Sequence, residues 1–343
     1  MTRWDEAYFA RLTDFVSKAG ERGIVVELDL FCPFYTDEQW AISPMNAVNN
    51  VNGIGDVDRQ DVYTPKGRGG LLEVQEAMTR EIVTALRDHD NLYYEICNEP
   101  YARDIPLAWE HRIADVLTEA EADFPHRHLI ARNVSNGSAR VDDPHPAISV
   151  FNFHYASPPT AVAENAHLNR PIGDNETGFR GTDAAHYRME AWEFILAGGA
   201  LYNNLDYSFA VGHEDGSFEY PDSQPGSGSP ELREQLRILK DFIHGFGFLA
   251  MSPDVDVAVG VSDADARATV LSAPGAAYAA YVFGGPSVTL TLALPPGRYD
   301  VTWIDTRNGG TDKRERVQSD GTVALDSPVY DAEVALRIVR AAT

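Results

Sequence analysis

The sequence predicts an α/β fold, with helices alternating with short strands of a parallel sheet, followed by a small antiparallel β-sandwich. Three observations carry this. Short, nearly continuous apolar runs of the kind buried on both faces of a parallel sheet recur along the first two thirds of the chain. Between them lie stretches of about ten to fifteen residues with apolar positions at helical spacing. After Met251 the helical period vanishes, and alternating apolar runs bounded by turn residues take over.

Residues 5–20 place Tyr8, Phe9, Leu12, Phe15, Val16 and Ala19 on one helical face, and Gly20 and Gly23 end that helix. The first strand follows over residues 24–31 (Ile24-Val25-Val26-Glu27-Leu28-Asp29-Leu30-Phe31). A connection of about forty residues comes next, rich in Asn and Gly (Asn46, Asn49, Asn50, Asn52, Gly53, Gly55), and loops of that length in compact domains tend to carry function. Residues 71–89 form the second helix and feed the strand Leu92-Tyr93-Tyr94-Glu95-Ile96-Cys97. A helix over 106–122 leads to Leu129-Ile130-Ala131. The strand at 148–153, a helix over 159–168 and the strand at 171–174 follow in turn. A helix over 184–197 precedes Ala200-Leu201-Tyr202-Asn203-Asn204-Leu205.

The polar, glycine-rich Pro221-to-Gly228 stretch separates this series from one more helix. Ser229 is its cap, Pro230 stands at its first position and Glu231 in its first turn. Strands are then expected at 255–261, 267–273, 277–283, 287–294, 298–305 and 334–340, with turns at Pro295-Pro296-Gly297 and Asn308-Gly309-Gly310. The expected organisation is one α/β domain over 1–250 and a β-sandwich domain over 251–343.

The 343 residues include 52 acidic against 28 basic side chains, a formal charge of −24. That balance opposes binding to nucleic acid or to an anionic bilayer. No run approaches ~20 apolar residues, so a membrane span is not expected. Met1-Thr2-Arg3-Trp4-Asp5-Glu6 contains no apolar secretory region, which makes the cytoplasm the default location. Cys32 and Cys97 are too few for a disulfide framework and lack metal-site spacing; two reduced thiols are expected.

Two carboxylates stand out by position. Glu99 follows one strand, in Ile96-Cys97-Asn98-Glu99-Pro100, and Glu176 follows another, in Gly173-Asp174-Asn175-Glu176-Thr177. In βα barrels the active site is built at the carboxyl ends of the strands, so both would point into one mouth. A solvated loop carboxylate is the ordinary alternative for either alone. As a pair they suit acetal cleavage, which needs a proton for the leaving oxygen and negative charge beneath an oxocarbenium-like centre. Flat apolar surfaces for a sugar are sought in Tyr35 and Trp40 on the long loop, in Phe179, and in Tyr207 beside Asp206 after the last strand, with ordinary core or hinge packing the alternative for each aromatic. Asp29, near a strand end, suits either a structural hydrogen bond or substrate contact. No His/Asp/Glu cluster has metal-site spacing and no Gly-rich phosphate loop follows a strand, so no metal and no cofactor is expected.

Asn98-Glu99-Pro100 after a strand, Glu176 after a later one and His154-Tyr155 between them resemble the signature of clan A glycoside hydrolases, family 5-like enzymes in particular. The resemblance implies a (β/α) TIM-type barrel and retaining cleavage of β-glycosidic bonds. It makes Glu99 the acid/base, Glu176 the nucleophile and Asn98 the side chain that binds the sugar 2-hydroxyl. Tyr155 would hydrogen-bond the nucleophile, and His154 would line the site. The tail, through Gly297-Arg298-Tyr299-Asp300-Val301-Thr302-Trp303, is similar to the sandwich domain behind several glycosidase barrels.

The chain departs from that pattern. Glu99 should end the fourth barrel strand, yet one strand precedes it here, so a partial barrel of about six strands is expected. The arginine that the family brings from strand two is then missing, with Arg132 as a substitute. Open parallel edges at 24–31 and 200–205 invite pairing or cover; self-association that closes them is expected, with the 33–70 loop folded over the gap or a longer gene as the alternatives. The expected substrate is a β-linked oligosaccharide or glycoside, with the long loop favouring short substrates or exo action. The competing reading is a sugar-binding protein on a degenerate barrel that has lost catalysis.

Overall fold

The computed structural model describes residues 3–219, 226 and 228–342. The Pro221-to-Gly228 stretch therefore lies largely outside the described residues. Six parallel strands form one sheet in chain order: β1 (Val26–Asp29), β2 (Leu92–Glu95), β3 (Ile130–Asn136), β4 (Val150–His154), β5 (Ile172–Glu176) and β6 (Leu201–Tyr202). This is a half-barrel wall, as the strand count predicted, and it is followed by antiparallel sheets.

Two compact units make up the chain. The first spans residues 1–135, 139–153 and 167–171. It opens with α1 (Glu6–Gly20), whose Asp5 cap accepts from the backbone of Ala7 and Tyr8. β1 pairs with β2 in the register Val26↔Leu92 to Asp29↔Glu95, and β2 with β3 through Tyr94↔Ile130. The long connection after β1 is not structureless. It folds into α2 (Asp37–Ile42), closed by a Thr36–Gln39 capping box, and three single 3-10 turns. Asparagine side chains stitch it: Asn50 donates to the carbonyls of Asn46 and Ile54, and Asn49 to those of Ala41 and Ser43. α3 (Leu71–Ala85) and α4 (Leu107–Ala120) pack together. Between them the buried Gln75 amide accepts from the Trp109 indole and donates to the Val62 carbonyl, which ties the long loop to the helices.

The second unit spans residues 136–138, 154–166 and 172–343, so the change of texture near residue 250 falls inside it. It holds α5 (Thr160–Glu164), α6 (Ala184–Leu196) and α7 (Pro230–His244), the last capped by Ser229 through the Leu232 N–H as expected. The β-rich part comprises β7 (Ser252–Pro253), β8 (Ala258–Val261), β9 (Arg267–Ala273), β10 (Ala277–Phe283), β11 (Thr289–Leu292), β12 (Gly297–Ile304), β13 (Thr311–Ser319), β14 (Val323–Asp326) and β15 (Glu333–Arg340). They form a six-stranded sheet in the order β13-β12-β15-β10-β9-β7 and a three-stranded sheet β14-β11-β8. Side-chain alternation along β10 explains the layering. Tyr278, Ala280 and Val282 enter the core between the two sheets with Tyr299, Trp303 and Leu336. Ala279 and Tyr281 face the other way, against Trp192, Leu239 and Phe242 of the helices.

Three strands were not expected from sequence: the two-residue β7, and β13 and β14. Thr311-Asp312-Lys313-Arg314-Glu315-Arg316 lacks apolar alternation because β13 is a sheet edge, where charged side chains discourage further pairing. The Arg316 guanidinium binds Asp300 of β12 at 2.6 Å.

Candidate active site

In the first unit the chain leaves β2 at Glu95 and reaches Glu99 four residues later, in the left-handed region at φ 41°. A non-glycine residue held there carries strain of order 1–3 kcal/mol, a cost that concentrates at functional sites. The backbone is fixed by the Asn98 N–H on the Phe31 carbonyl and the Ala102 N–H on the Glu99 carbonyl, each 3.0 Å. Both carboxyl oxygens of Glu99 accept from tyrosines: Tyr35 Oη donates to Oε2 at 2.6 Å and Tyr101 Oη to Oε1 at 3.3 Å. Asn98 Nδ2 in turn donates to Tyr35 Oη at 3.1 Å. Tyr35, read from sequence as a sugar platform, thus reaches the proposed acid with its hydroxyl.

In the second unit Glu176 is the last residue of β5 rather than a loop residue beyond it. Tyr155 Oη donates to Glu176 Oε1 at 2.7 Å, and His154 Nδ1 lies 3.6 Å from the same oxygen. The Tyr155 N–H also donates to the Glu176 carbonyl at 2.8 Å, so the pairing of backbone sets the side-chain contact. Tyr155 and Phe179 both have positive φ, 52° and 61°, and their rings lie 6.0 Å apart. Phe179 is 67 % exposed. Two residues before Glu176, burial pushes the Asp174 carboxyl up to about 8, reinforced by the Glu190 charge and opposed by the Ala156 N–H.

The other sequence candidates fall elsewhere. Trp40 is only 6 % exposed; its indole donates to the Val57 carbonyl and packs on Phe34, so it is a core residue of the long loop with little ring surface for a sugar. Of the two readings of Trp40, platform and core packing, the structure fits the second and not the first: a tryptophan on a loop that folds upon itself fills the loop's own core. Asp206 is engaged by Arg233 at 2.9 Å and by Ser208, while Tyr207 is exposed. Arg132 pairs with the buried Glu110 of α4 at 2.9 Å. Cys32 and Cys97 are free thiols, as expected, and burial pushes both up.

One cluster, of which the sequence singles out Asp29 alone, lies on the first two strands. Glu27, Asp29 and Glu95 bring carboxyl oxygens within 4.8 Å of one another. The Tyr93 hydroxyl donates to Glu27, and Asn152 Nδ2 donates to Glu27 at 3.1 Å and Glu95 at 2.7 Å. Burial, then the charges of Asp29 and Glu27, holds the Glu95 carboxyl far above the carboxylate range, so it stays protonated and serves the network as a donor. The signal was present in sequence: Glu27 and Asp29 alternate with Val26 and Leu28, marking one polar face inside an apolar strand.

Among curated proteins, none matches the chain. Two of the solved structures that share its fold illustrate the likeness. One, a glycoside hydrolase, superposes with TM-score 0.60 at 13 % identity over 97 % of this chain and 89 % of its own. The other, a glycoside hydrolase family 5 protein from Bacteroides vulgatus ATCC 8482, gives TM-score 0.61 at 14 % identity over 98 % of this chain and 74 % of its own. Residues 1–160, which include Asn98 and Glu99 but not Glu176, match the family described as Cellulase, glycosyl hydrolase family 5, the family that the Asn98-Glu99-Pro100 signature resembles.

Proposed function

We propose that the protein is a retaining glycosidase acting on β-glycosidic bonds, with Glu176 as nucleophile and Glu99 as acid/base. The observation that supports it best is that each glutamate stands at or just past the carboxyl end of a strand of one parallel sheet, with a tyrosine hydroxyl on its carboxyl group. The carboxyl ends of barrel strands are where such folds build catalysis.

In this reading a Glu176 oxygen attacks the anomeric carbon as the bond to the glycosidic oxygen breaks, and Glu99 gives its proton to that oxygen. The covalent glycosyl-enzyme neutralises Glu176. Glu99, now a carboxylate, takes a proton from water as that water attacks the same carbon, and the sugar leaves with net retention. The Tyr155 hydroxyl and His154 hold Glu176 in its attacking rotamer, and Asn98 binds the 2-hydroxyl.

The test is kinetic. On a panel of aryl β-glycosides (glucoside, galactoside, mannoside, xyloside, arabinoside, fucoside) and then oligosaccharides, Glu176→Ala should lose several orders of magnitude in kcat. Azide should restore part of it and yield a glycosyl azide of inverted anomeric configuration. Near-normal rates in both Glu99→Gln and Glu176→Gln would sink the assignment. Sugar binding without turnover, unchanged in those variants, would establish the non-catalytic alternative.

A further inference from the structure

Resting on the glycosidase reading, we infer that Tyr35 is the positioning residue of the acid/base Glu99, and that Arg103 clamps it in place. Tyr35 is gripped at every polar atom it has. Its N–H donates to Gln39 Oε1 at 2.7 Å, and its carbonyl accepts from Arg103 Nε at 3.1 Å and Nη2 at 2.6 Å. Its hydroxyl donates to Glu99 Oε2 and accepts from Asn98 Nδ2. The Arg103 guanidinium also lies 5.9 Å from the Tyr35 ring centroid. Arg103 ends the 3-10 turn that begins at Pro100, directly after Glu99. The segment that carries the acid therefore grips the residue that orients the acid, and the two loops lock each other.

The chemistry of the hydroxyl sets the direction of each bond. A phenol has one proton to give and two lone pairs. With the Asn98 N–H on its oxygen, that proton is directed at Glu99. Burial, then the hydrogen bond to Glu99, pushes the phenol up, so Tyr35 does not lose its proton in the working range and remains a donor. A glutamate side chain rotates easily about its last bond. The short Tyr35 bond at Oε2 fixes that rotation, while the longer Tyr101 bond at Oε1 is the one a glycosidic oxygen displaces. Oε1 is then the oxygen that delivers the proton. When it does, the negative charge left behind stays bonded to the Tyr35 hydroxyl, a charge-assisted contact stronger than the neutral one it replaces.

The experiment compares two aryl β-glycosides of the best sugar from the panel, 2,4-dinitrophenyl and phenyl. The first leaving group departs without a proton and the second needs one. Glu99→Gln is the reference: it should cost the phenyl glycoside far more kcat/KM than the dinitrophenyl glycoside. Tyr35→Phe should reproduce that asymmetry in weaker form, about 10- to 100-fold on the phenyl glycoside and within about threefold on the other. Exposed Arg103→Met should shift the ratio the same way with smaller amplitude, and it keeps the test open should Tyr35→Phe fail to fold. Equal losses on both glycosides in Tyr35→Phe and Arg103→Met, or no loss, would overturn the positioning role while Glu99→Gln still shows its asymmetry. Absence of that asymmetry in Glu99→Gln, or a wild type that turns over no glycoside of the panel, would overturn the glycosidase reading and this inference with it.

Discussion

At the scale of single residues, Asp174 shows what burial does to a carboxyl. Its ordinary value of 3.8 rises to about 8, so the folded chain keeps a proton that the unfolded chain has released across that interval. Where the native state binds more protons, stability falls as pH rises. The contribution of the neutral acid is full below about pH 4 and is lost through about pH 8, at ~1.4 kcal/mol per unit. Asp174→Asn removes the titrating proton. Its Tm relative to wild type should therefore improve steadily between pH 5 and pH 8, measured by calorimetry in matched buffers. A Tm difference flat across that range would reject the raised value. The contrast with Trp40 is instructive. From sequence, one was an unremarked residue in Gly173-Asp174-Asn175 and the other a candidate platform. Burial, which a loop sequence does not reveal, reversed their interest.

At the scale of elements, α6 and α7 meet the sandwich through a buried ion pair. Arg188 on α6 binds Glu333 at the start of β15 at 2.5 Å and Gln235 on α7 at 2.9 Å, and the Tyr281 hydroxyl of β10 closes the set on Glu333. Breaking one partner of such a pair strands a buried charge, which costs about 3–5 kcal/mol. Glu333→Ala should lower unfolding stability by that amount in urea titrations, whereas Arg188→Met with Glu333→Leu should recover most of it. A single variant with unchanged stability would show that the pair contributes nothing. Element identity itself was largely legible. Helices α1, α3, α4, α6 and α7 followed from the apolar period and from caps such as Ser229, and all six parallel strands from their short apolar runs. The edge strand β13 was not, because its charged sequence answers to solvent and to the avoidance of further pairing rather than to a core. The order inside the long loop was equally hidden, since its asparagine amides bond to backbone carbonyls that are local only once the loop is folded.

At the scale of the whole molecule, the two ends of the parallel sheet differ. β6 has two residues, Leu201–Tyr202, and so offers little edge. β1 is longer, and the residues leading into it, Ile24 and Val25, are 51 % and 63 % exposed, with Tyr8 and Phe15 of α1 also exposed. We propose that this edge pairs with a second copy, against the repulsion set by the −24 charge. Association should therefore strengthen as salt screens that charge, and light scattering across 0.05–0.5 M NaCl should show mass rising toward a dimer. Val25→Lys should weaken it. A monomer at every salt concentration would dismiss the pairing.

The sequence by itself determined the class of fold, the order of strands and helices, and the two glutamates as the carboxylates to watch. Those follow from local periodicity and from chain position relative to a strand end, both of which are properties of the linear text. The Tyr155 contact on Glu176 was implied by the resemblance, but only the tertiary structure decided which side chains attend Glu99 and its neighbours. The Tyr35–Glu99 bond, the Arg103 clamp and the Glu27–Glu95–Asn152 network join residues up to 125 positions apart. Such contacts are set by where a folded loop brings a hydroxyl or an amide, and by how far burial raises the cost of leaving a polar group unbonded.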